Sequence, residues 1–486
     1  MQPVKRQVLS VMVVVFVSVV VVAGMVSALV FVAYKGGLSV IVHTSPSAAR
    51  ELVTSTAQAE LPLPDGQDWT QYRFDVTGTG LNPEGRISTN NMSQLALQWT
   101  FSPQRGFVST PAIVNGIVYV TYRNSLYAFE LATGKVLWHF DDISQPGGSI
   151  FSSVAVDPNS HIAYYGTPDA RVYAVNALTG REIWNVQIGD PDAGAFIWSS
   201  PLLVNGKVYI GLASHDDSPC VRGGVFAFDA TTGKLAWTHY MVRTGTLGGS
   251  VWSSLTADPR RQEIIATTGN PCPHGNSDDQ QDAFIAMDWN TGATLWQYTA
   301  VPYDDCDCDF GEGAVDFTYH GQEYLIAGNK NGIVYALTQL AGRHSVRLVW
   351  SLRITKSGFL GSGGIFEPPT YSDGVVYIAG GPTLDGVCKG GALYALHADT
   401  GEVRWRACTS GQVVSPASTT GDVLFVAQRN MLVAYEADTG RELLRSAQPG
   451  EFWGGVSISR GSVLVGGVAG TLYCYSLPKV TIPGKT

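Results

Sequence analysis

The sequence has few charged residues and no excess of basic ones. Lysine and arginine number 31 against 40 aspartates and glutamates, which gives a formal net charge of −9. Binding to nucleic acid needs cationic side chains that neutralise phosphates, and no basic stripe runs along this chain. The composition therefore excludes a nucleic-acid partner. The chain also lacks a phosphate-binding glycine loop, a dinucleotide-binding fingerprint and a Ser-His-Asp arrangement, so the enzyme classes that depend on them are not indicated.

Charge is absent altogether from a long stretch near the N-terminus. Residues 8–33 are almost all Val, Met, Phe, Leu, Ala and Ser, with more basic residues before the stretch than after it. A helix of this length crosses a ~30 Å hydrocarbon core, and the stretch is longer than the apolar part of a cleaved signal peptide. We therefore predict an anchor over residues 1–35, a single-pass transmembrane helix with its N-terminus in the cytoplasm and the body of the protein outside. Cleavage near Ser27 and Ala28 is the alternative.

Seven cysteines lie in the predicted outer body. They are Cys220, Cys272, Cys306, Cys308, Cys388, Cys408 and Cys474. In an oxidising compartment some of them pair, and the odd number leaves at least one without an intramolecular partner. The sequence does not reveal which cysteines pair. Residues 36–66 are rich in Ser, Ala, Thr and Pro, which predicts a flexible linker between the anchor and a domain that spans 67–486.

One block of sequence recurs along this domain. An alternating apolar strand is followed by a turn, a second strand, a Thr-Gly pair and, four residues after the glycine, a tryptophan. Five copies keep this spacing, in the pairs Gly134–Trp138, Gly180–Trp184, Gly233–Trp237, Gly292–Trp296 and Gly401–Trp405. A sixth copy carries an insertion before Trp350, a seventh has Leu444 in the tryptophan position, and an eighth, at 461–477, stops before its outermost strand. Short strands joined by tight turns in stacked copies are typical of β-propeller blades.

The strand that the eighth copy lacks has a donor earlier in the chain. Residues 95–101, LALQWTF, have the pattern of an outermost strand, with Trp99 in the tryptophan position. An N-terminal strand that completes the last blade closes the ring and removes exposed edges. We therefore predict an all-β fold, an eight-bladed β-propeller. A β-sandwich and an open solenoid are the alternatives, and the regular spacing disfavours both.

The repeats and the segment before them carry a family resemblance. The blocks, together with the segment from Trp69 to Trp99, resemble quinoprotein alcohol dehydrogenases, which use pyrroloquinoline quinone (PQQ). The resemblance covers about residues 67–480 and is nearest the polyvinyl-alcohol dehydrogenase-like branch between Ser199 and Phe317. Non-catalytic propellers of outer-membrane assembly factors share the repeat, so it indicates the fold more specifically than the function.

Four residues match functional positions of that family in chain order. Trp252 matches the tryptophan that stacks on the quinone, and Asn270 matches a calcium-ligating asparagine. Asp309 matches the aspartate that acts as general base or cation ligand, and Lys330 matches the lysine that contacts the quinone oxygens. The resemblance thus implies a PQQ cofactor held by Trp252 and Lys330 and a Ca²⁺ ion held by Asn270 and Asp309, with Asp309 and Lys330 in catalysis. Each position also has an ordinary structural interpretation, as a packing tryptophan, a turn asparagine, an exposed acidic loop or a surface lysine.

Three further residues are candidates for the site. The family's cation-binding acid in blade 3 falls at Ser218, and the neighbouring Asp216 and Asp217 offer replacements, of which we take Asp217 as the candidate metal ligand. Arg222, in an Arg-Gly pair that does match, is a candidate for cofactor binding. Trp453, in EFWGGV, is a candidate for the roof of the site, with packing in the core as the alternative.

Several family features are missing. The chain has no adjacent cysteine pair for the disulfide ring under the quinone, Val108 replaces the acid of blade 1, and GGSIFSSVAV lacks the arginine of blade 2. No Cys-x-x-Cys-His motif is present, which excludes a covalently attached c-type haem, so turnover requires a separate electron acceptor.

A different set of residues fits a metal site. Cys272, His274, Cys306 and Cys308 lie in two loops that a propeller brings together, and such a set suits zinc. Outside the cytoplasm, disulfides are the favoured interpretation of these cysteines.

Our leading hypothesis is a membrane-anchored PQQ-dependent dehydrogenase that oxidises a small or polymeric alcohol, or a related substrate, outside the cytoplasm. The alternative is a non-catalytic propeller that serves as a protein-binding or envelope-assembly scaffold.

Overall fold

The computed structural model describes two separate units of the chain. For the first unit it describes the backbone of Val15–Val22, Met25–Tyr34 and Gly37–His43. For the second it describes residues 67–478, apart from 103–105, 107–108, 142–149, 217, 276, 278 and 341–344. The division between the two compact units falls between Glu60 and Leu61.

The first unit differs from the predicted transmembrane helix. Val15–Val22, Met25–Tyr34 and Gly37–His43 form a three-stranded antiparallel sheet in that order. The stretch is dense in valine, and two heavy atoms on Cβ restrict the side chain in a helix and favour extended backbone, a preference that the apolar pattern hid. Within the described residues, no helix combines the length and the apolar character that a membrane crossing requires.

The second unit is the predicted eight-bladed β-propeller, so the sequence repeat identified the fold correctly. Blade 1 contains Ala112–Val114, Ile117–Tyr122, Ser125–Glu130 and Val136–Asp141, and blade 2 contains Ala155–Asp157, Ile162–Gly166, Arg171–Asn176 and Glu182–Gln187. Blade 3 contains Ala195–Phe196, Leu202–Val204, Lys207–Ser214, Gly224–Asp229 and Leu235–Tyr240, and blade 4 contains Thr256–Asp258, Glu263–Thr267, Ala283–Asp288 and Thr294–Thr299.

The remaining blades follow the same pattern. Blade 5 contains Val315–Tyr319, Gln322–Gly328, Ile333–Gln339 and Val346–Arg353, and blade 6 contains Thr370–Ser372, Val375–Gly380, Ala392–His397 and Val403–Cys408. Blade 7 contains Ser418–Thr419, Val423–Gln428, Met431–Glu436 and Glu442–Ala447, and blade 8 contains Phe452–Ser459, Ser462–Gly467, Leu472–Ser476 and Ala96–Phe101. A two-stranded ribbon, Leu247–Gly248 with Pro271–Cys272, and the 3₁₀ turns Met92–Gln94 and Pro191–Ala193 lie between these strands.

Blade 8 is completed by the N-terminal strand, as predicted. Ala96–Phe101 pairs antiparallel with Leu472–Ser476, and Trp99 lies opposite Cys474. Because the two ends of the propeller domain share one sheet, this pairing closes the ring.

Tryptophans join neighbouring blades through a repeated contact with glycine. The Trp350 indole donates a hydrogen bond of 3.0 Å to the carbonyl oxygen of Ala398, and its ring lies on Gly401 of the next blade. Gly401 has a φ of +74°, and a Cβ added there would lie 2.7 Å from the indole. The same contact recurs for Trp99 on Gly134, Trp138 on Gly180, Trp184 on Gly233, Trp237 on Gly292 and Trp405 on Gly440. The turn therefore needs glycine both for its left-handed backbone and for the space that the ring occupies.

The segment before the first blade crosses the innermost strands of all eight blades in turn. Its backbone or side chains bond Ile113, Val156, Leu203, Ala257, Asp316, Tyr371, Thr419 and Ile458. Arg73 is buried in this segment, and its guanidinium donates to the carbonyl oxygens of Ala314 (2.9 Å), Gly78 (2.5 Å) and Pro369 (3.0 Å). This part of the chain thus ties the blades together beneath the central cavity.

Candidate functional site

Aromatic side chains line the central cavity. In blades 2, 3, 4 and 6 the lining aromatic residue lies just before the innermost strand, and in blade 8 it lies at the start of that strand; these residues are Phe151, Trp198, Trp252, Phe366 and Trp453. Val414 holds the corresponding position in blade 7. In blades 2 to 4 the aromatic residue is followed by two serines, the first of which bonds its own blade: Ser199 Oγ, for example, accepts a hydrogen bond of 2.9 Å from the amide of Gly211. Sequence reasoning identified Trp252 and Trp453 but missed Phe151, Trp198 and Phe366. The repeated aromatic-Ser-Ser pattern was the signal that could have revealed Phe151 and Trp198; Phe366 is followed by Glu367 and does not share it.

An acidic and basic cluster adjoins this aromatic lining. Lys330 Nζ lies 2.6 Å from Asp309 Oδ1 and 3.1 Å from Asp307 Oδ1, and Trp252 Nε1 donates a hydrogen bond of 2.8 Å to Asp309 Oδ2. The ammonium also lies 4.9 Å from the centre of the Trp252 ring. Together with Asn270, these side chains line a second cavity of about 460 Å³, which shares Trp198, Trp252 and Lys330 with the central one. The structure thus brings together the four residues that the sequence resemblance singled out.

Burial and charge set the protonation of this cluster. Burial raises the pKa of Asp309 to about 6, although the ammonium of Lys330 and the indole of Trp252 oppose the increase. Burial lowers the pKa of Lys330, but the carboxylates of Asp309 and Asp307 outweigh it, and the net pKa lies above the ordinary lysine value. Asp309 is therefore a carboxyl group that can change protonation close to neutral pH, next to a lysine that stays charged.

Asn270 provides the best test of a cation site. Its Nδ2 donates a hydrogen bond of 2.6 Å to Asp307 Oδ1, whereas its Oδ1 is buried and has no hydrogen-bond partner among the described residues. A buried amide oxygen without a partner is costly, and a hard cation would satisfy it. Asn270, Asp307 and Asp309 together supply the oxygen ligands that Ca²⁺ prefers, so the residues present fit such an ion. Asp307 was not among the residues that the sequence resemblance indicated.

The cysteines form disulfides rather than the zinc set. Cys220 pairs with Cys272, Cys306 with Cys308, and Cys388 with Cys408, and Cys474 is buried and free. The prediction of pairing with one cysteine left over is confirmed. The sulfurs of Cys272, Cys306 and Cys308 are therefore not available as thiolates, which removes the zinc alternative. The Cys220–Cys272 bond connects the loops of blades 3 and 4 beside Asn270 and lines the same cavity.

Of the two other candidates for cofactor binding, Trp453 lines the central cavity and Arg222 does not. Arg222 stacks on the ring of Tyr240 at 4.1 Å and donates to the carbonyl oxygen of Val242, outside the described linings of both cavities. The glycine after it is needed for packing, because a Cβ at Gly223 would lie 2.1 Å from the carbonyl oxygen of Gly249. Trp453 lines the central cavity while 41% exposed, as a roof residue would.

Asp216 and Asp217 are the two acids of the blade 3 loop, and among the described residues this loop adds no ligand to the Asn270 cluster. Asp217 lies outside the described residues. Asp216 is exposed, and its Oδ2 accepts a hydrogen bond of 2.6 Å from His215 Nδ1.

A second buried carboxyl group lies deeper in the central cavity. Glu312 Oε1 accepts a hydrogen bond of 3.3 Å from the hydroxyl of Tyr72, and Glu312 Oε2 lies 3.4 Å from the amide of Ser254. Burial raises the pKa of Glu312 to about 7, and the guanidinium of Arg73 opposes the increase. Sequence reasoning did not single out this residue, which occupies the position that serine holds in blades 2 to 4.

Comparisons with known proteins agree with this geometry. Residues 69–349, more than half of the chain, match the PQQ family described as "Glucose/ethanol/alcohol dehydrogenase, beta-propeller domain", and residues 389–477 match "Outer membrane protein assembly factor BamB". The chain therefore belongs to the family of PQQ-repeat propellers found in alcohol dehydrogenases.

Curated relatives are quinoprotein dehydrogenases. The quinoprotein alcohol dehydrogenase PedH of Pseudomonas putida is 26% identical over 449 residues, which cover 80% of this chain and 68% of that protein. The dehydrogenase subunit of the quinone-dependent alcohol dehydrogenase of Gluconobacter oxydans is 28% identical, over 57% of this chain and 44% of that protein. The polyvinylalcohol dehydrogenase of a Pseudomonas species is 24% identical, over 65% of this chain and 56% of that protein. Apart from PedH, the chain spans about half the length of these relatives.

Solved structures share the fold. A europium-containing methanol dehydrogenase superposes with a TM-score of 0.73 at 19% identity, over 85% of this chain and 98% of that one. The quinohemoprotein alcohol dehydrogenase ADHIIG of Pseudomonas putida HK5 gives 0.72 at 21%, over 87% and 82%. BamB of Moraxella catarrhalis gives 0.55 at 15%, over 80% and 99%.

Proposed function

We propose that this protein is a PQQ-dependent dehydrogenase that oxidises an alcohol or a related substrate. The observation that carries the proposal is the assembled cluster of Trp252, Asn270, Asp309 and Lys330 at the junction of two cavities. Burial raises the pKa of Asp309 to about 6 beside a charged lysine, and carboxyl groups with shifted pKa values are concentrated at functional sites.

The residues present suit a flat, anionic quinone and a cation. Trp252 and the other aromatic side chains offer apolar faces, and Lys330 offers positive charge against the quinone oxygens. Asn270, Asp307 and Asp309 would hold the divalent ion. When bound, the quinone accepts the two electrons and the hydrogen that leave the substrate carbon.

The protein's own contribution is to position charges and to take a proton. Asp309, ionised and held by Trp252 and Lys330, accepts the proton of the substrate hydroxyl. Lys330 keeps its positive charge and stabilises the negative charge that develops on the substrate oxygen as its proton leaves. The half-buried aromatic side chains of the cavity wall limit the access of bulk water to the reacting atoms.

Activity of the full-length protein tests the proposal. The protein is incubated with PQQ and Ca²⁺, and alcohol-dependent reduction of an artificial dye is followed. At saturating PQQ and Ca²⁺, Asp309→Asn should lower turnover by about 100-fold or more, since general-base catalysis contributes at least this much. Asp305→Asn, which alters an exposed carboxylate in the same loop, is the matched control and should behave as the wild type. Turnover in Asp309→Asn equal to that of the control would remove Asp309 from the reaction.

A scaffold role is the second candidate function. The match of residues 389–477 to an outer-membrane assembly factor favours it, as does the absence from the sequence of the family's blade 1 acid and blade 2 arginine. A wild-type protein that binds neither PQQ nor Ca²⁺ would support the scaffold and reject the dehydrogenase.

We further propose that the propeller lies outside the cytoplasm and is attached to a membrane through its apolar N-terminal stretch. Three disulfides in the propeller favour an oxidising compartment, and residues 8–33 carry no charge. Carbonate extraction of membranes and protease digestion of intact cells test both parts. Release of the protein by carbonate would reject attachment, and protection from protease in cells with a permeable outer layer would reject the location.

A further inference from the structure

We propose that the Cys306–Cys308 disulfide and the buried carboxylate of Asp304 position Asp307 for the cation of the proposed site. The inference rests on the proposed dehydrogenase function, which includes that cation. The chain lacks the adjacent cysteine pair of the family that it resembles, and here the two bonded cysteines stand on either side of Asp307. The disulfide therefore encloses a candidate cation ligand in a short covalent ring.

Asp307 is the residue through which this loop contacts Asn270. Its Oδ1 accepts a hydrogen bond of 2.6 Å from Asn270 Nδ2 and lies 3.1 Å from Lys330 Nζ, and its Oδ2 lies 3.2 Å from the same ammonium. The Asp307 side chain is 14% exposed, so it is largely buried against these partners. A change in the direction of Asp307 would also turn the Asn270 amide, whose Oδ1 has no hydrogen-bond partner among the described residues.

The backbone of Asp307 has a conformation that needs support. Its φ is +52°, in the left-handed region that is uncommon for residues with a Cβ and persists where the surroundings fix it. The disulfide joins the two neighbouring side chains, and Asp304 Oδ1 accepts hydrogen bonds from both neighbouring amides, Cys306 at 3.1 Å and Cys308 at 2.9 Å. Both neighbours of Asp307 are therefore held by two independent contacts.

Asp304 is in turn anchored to the loop that carries Asn270. The Asp304 side chain is fully buried, and its Oδ2 lies 2.7 Å from His274 Nδ1. The Asp304 amide donates a hydrogen bond of 2.7 Å to the carbonyl oxygen of Gly275. His274 and Gly275 follow Asn270 in the same loop. Asp304 thus joins the two loops that supply the candidate cation ligands, through contacts that involve no ion.

A ligand that is held in place before the ion binds gives a higher affinity, because its ordering is already complete. Without the disulfide, Asp307 would become ordered only when the cation binds. Fixing one residue costs enough conformational entropy to weaken binding about tenfold. The disulfide and Asp304 should therefore act on the affinity for the cation, in addition to any effect on stability.

Calorimetric titration of Ca²⁺ into the full-length protein, loaded with PQQ, tests the positioning role. Cys306→Ser with Cys308→Ser should raise the Kd for Ca²⁺ about tenfold. Cys388→Ser with Cys408→Ser, which removes a disulfide of blade 6 outside the described linings of both cavities, should leave the Kd within about twofold. An unchanged Kd in the first pair, or an equal rise in both, would overturn the inference. Cys306→Ala with Cys308→Ala gives the same comparison if the serine variant does not fold.

A double-mutant cycle shows whether the disulfide acts through Asp307. Asp307→Gly removes the carboxylate, and glycine accepts the left-handed backbone at this position. In this background the loss of the Cys306–Cys308 bond should change the Kd for Ca²⁺ by less than about twofold, because the disulfide has no ligand left to position. A further rise of about tenfold would show that the disulfide only supports the fold, and it would reject the positioning role.

Two more results separate this inference from the function on which it rests. Peptide mass spectrometry of the alkylated, unreduced protein should recover Cys306 and Cys308 bonded to each other, and free thiols at both positions would refute the inference alone. A wild-type protein that binds no Ca²⁺ would instead refute the proposed function, and the positioning role with it.

Discussion

The Trp252 indole donates its N–H to Oδ2 of Asp309 at 2.8 Å, so the aromatic wall of the cavity is bonded to the proposed base. The hydrogen bond favours the ionised carboxylate and opposes the effect of burial on the pKa of Asp309. One side chain therefore contributes both a flat apolar face and a charge-stabilising contact, which explains why a tryptophan, rather than another aromatic residue, suits this position.

Trp252→Phe should separate these two contributions. The phenyl ring keeps the apolar face but has no N–H, so the pKa of Asp309 should rise from about 6 by about one pH unit, the size expected for a hydrogen bond to a charged group. Because protonation of Asp309 weakens cation binding, Ca²⁺ affinity should decline at a higher pH than in the wild type. Calorimetric titration of Ca²⁺ between pH 5 and pH 8 measures this midpoint. Trp198→Phe is the control, since the Trp198 indole donates to the carbonyl oxygen of Ser214, and a shift of equal size there would refute the assignment.

Glu367→Gln should make the protein more stable at alkaline pH. Glu367 Oε2 is buried without a hydrogen-bond partner among the described residues, and burial raises the pKa of Glu367 to about 8. The folded state thus holds a proton that the unfolded state loses above about pH 4.3, so stability falls as pH rises to about 8, by up to about 1.4 kcal/mol per pH unit. Urea unfolding at pH 5 and pH 9 should show a gain for Glu367→Gln that grows with pH. Glu402→Gln, on the exposed surface, should show none, and a gain for Glu367→Gln that does not vary with pH would contradict this explanation.

Gly401→Ala should destabilise the propeller by about 3 kcal/mol. The substitution combines a left-handed backbone, which costs about 1–2 kcal/mol, with a Cβ placed 2.7 Å from the Trp350 indole, which costs about 1–3 kcal/mol more. Gly116→Ala isolates the backbone part, because Gly116 has a φ of +77° and no atom within 4 Å of the added Cβ. Equal losses in urea unfolding would show that the indole contact contributes nothing.

Arg73→Met should be among the most damaging single changes in the propeller. The methionine leaves the carbonyl oxygens of Gly78, Ala314 and Pro369 without their donor and deprives the nearby Glu312 of a cation, for an expected loss of about 3–5 kcal/mol. Arg86→Met alters an arginine of the same segment whose contact is exposed, and it should cost little. A melting temperature equally lowered by both variants would reject the central role of Arg73.

The propeller was predictable because its signal is local and repeated. Thr-Gly followed by a tryptophan at a fixed offset encodes the contact of Trp350 with Gly401 and its equivalents, and the strand around Trp99 was recognisable as a copy without its own blade. The N-terminal stretch has no such repeat, so its predicted structure rested on its lack of charge, its length and its hydrophobicity. Length and hydrophobicity favoured a helix, and they outweighed the β-branched composition that the strands reflect.

The sequence predicted those site residues whose type and position match the family's pattern. Trp252, Asn270, Asp309 and Lys330 come from blades 4 and 5 and meet as expected. Arg222 did not join them, because its match depends on Gly223, which packs against Gly249 for steric reasons. Asp307 and Glu312 were missed because their positions in the site depend on contacts between loops, which sequence spacing does not encode.

The most direct test of this account is an equilibrium titration of PQQ into the full-length protein, with and without Ca²⁺, for the wild type and Lys330→Met. We predict saturable binding of one PQQ per chain that tightens at least tenfold with Ca²⁺ and weakens at least tenfold in Lys330→Met, measured at a temperature at which circular dichroism shows both proteins folded. Binding that is absent in the wild type, or that is the same with and without Ca²⁺ and Lys330, would contradict the assignment of this cluster as a quinone and cation site.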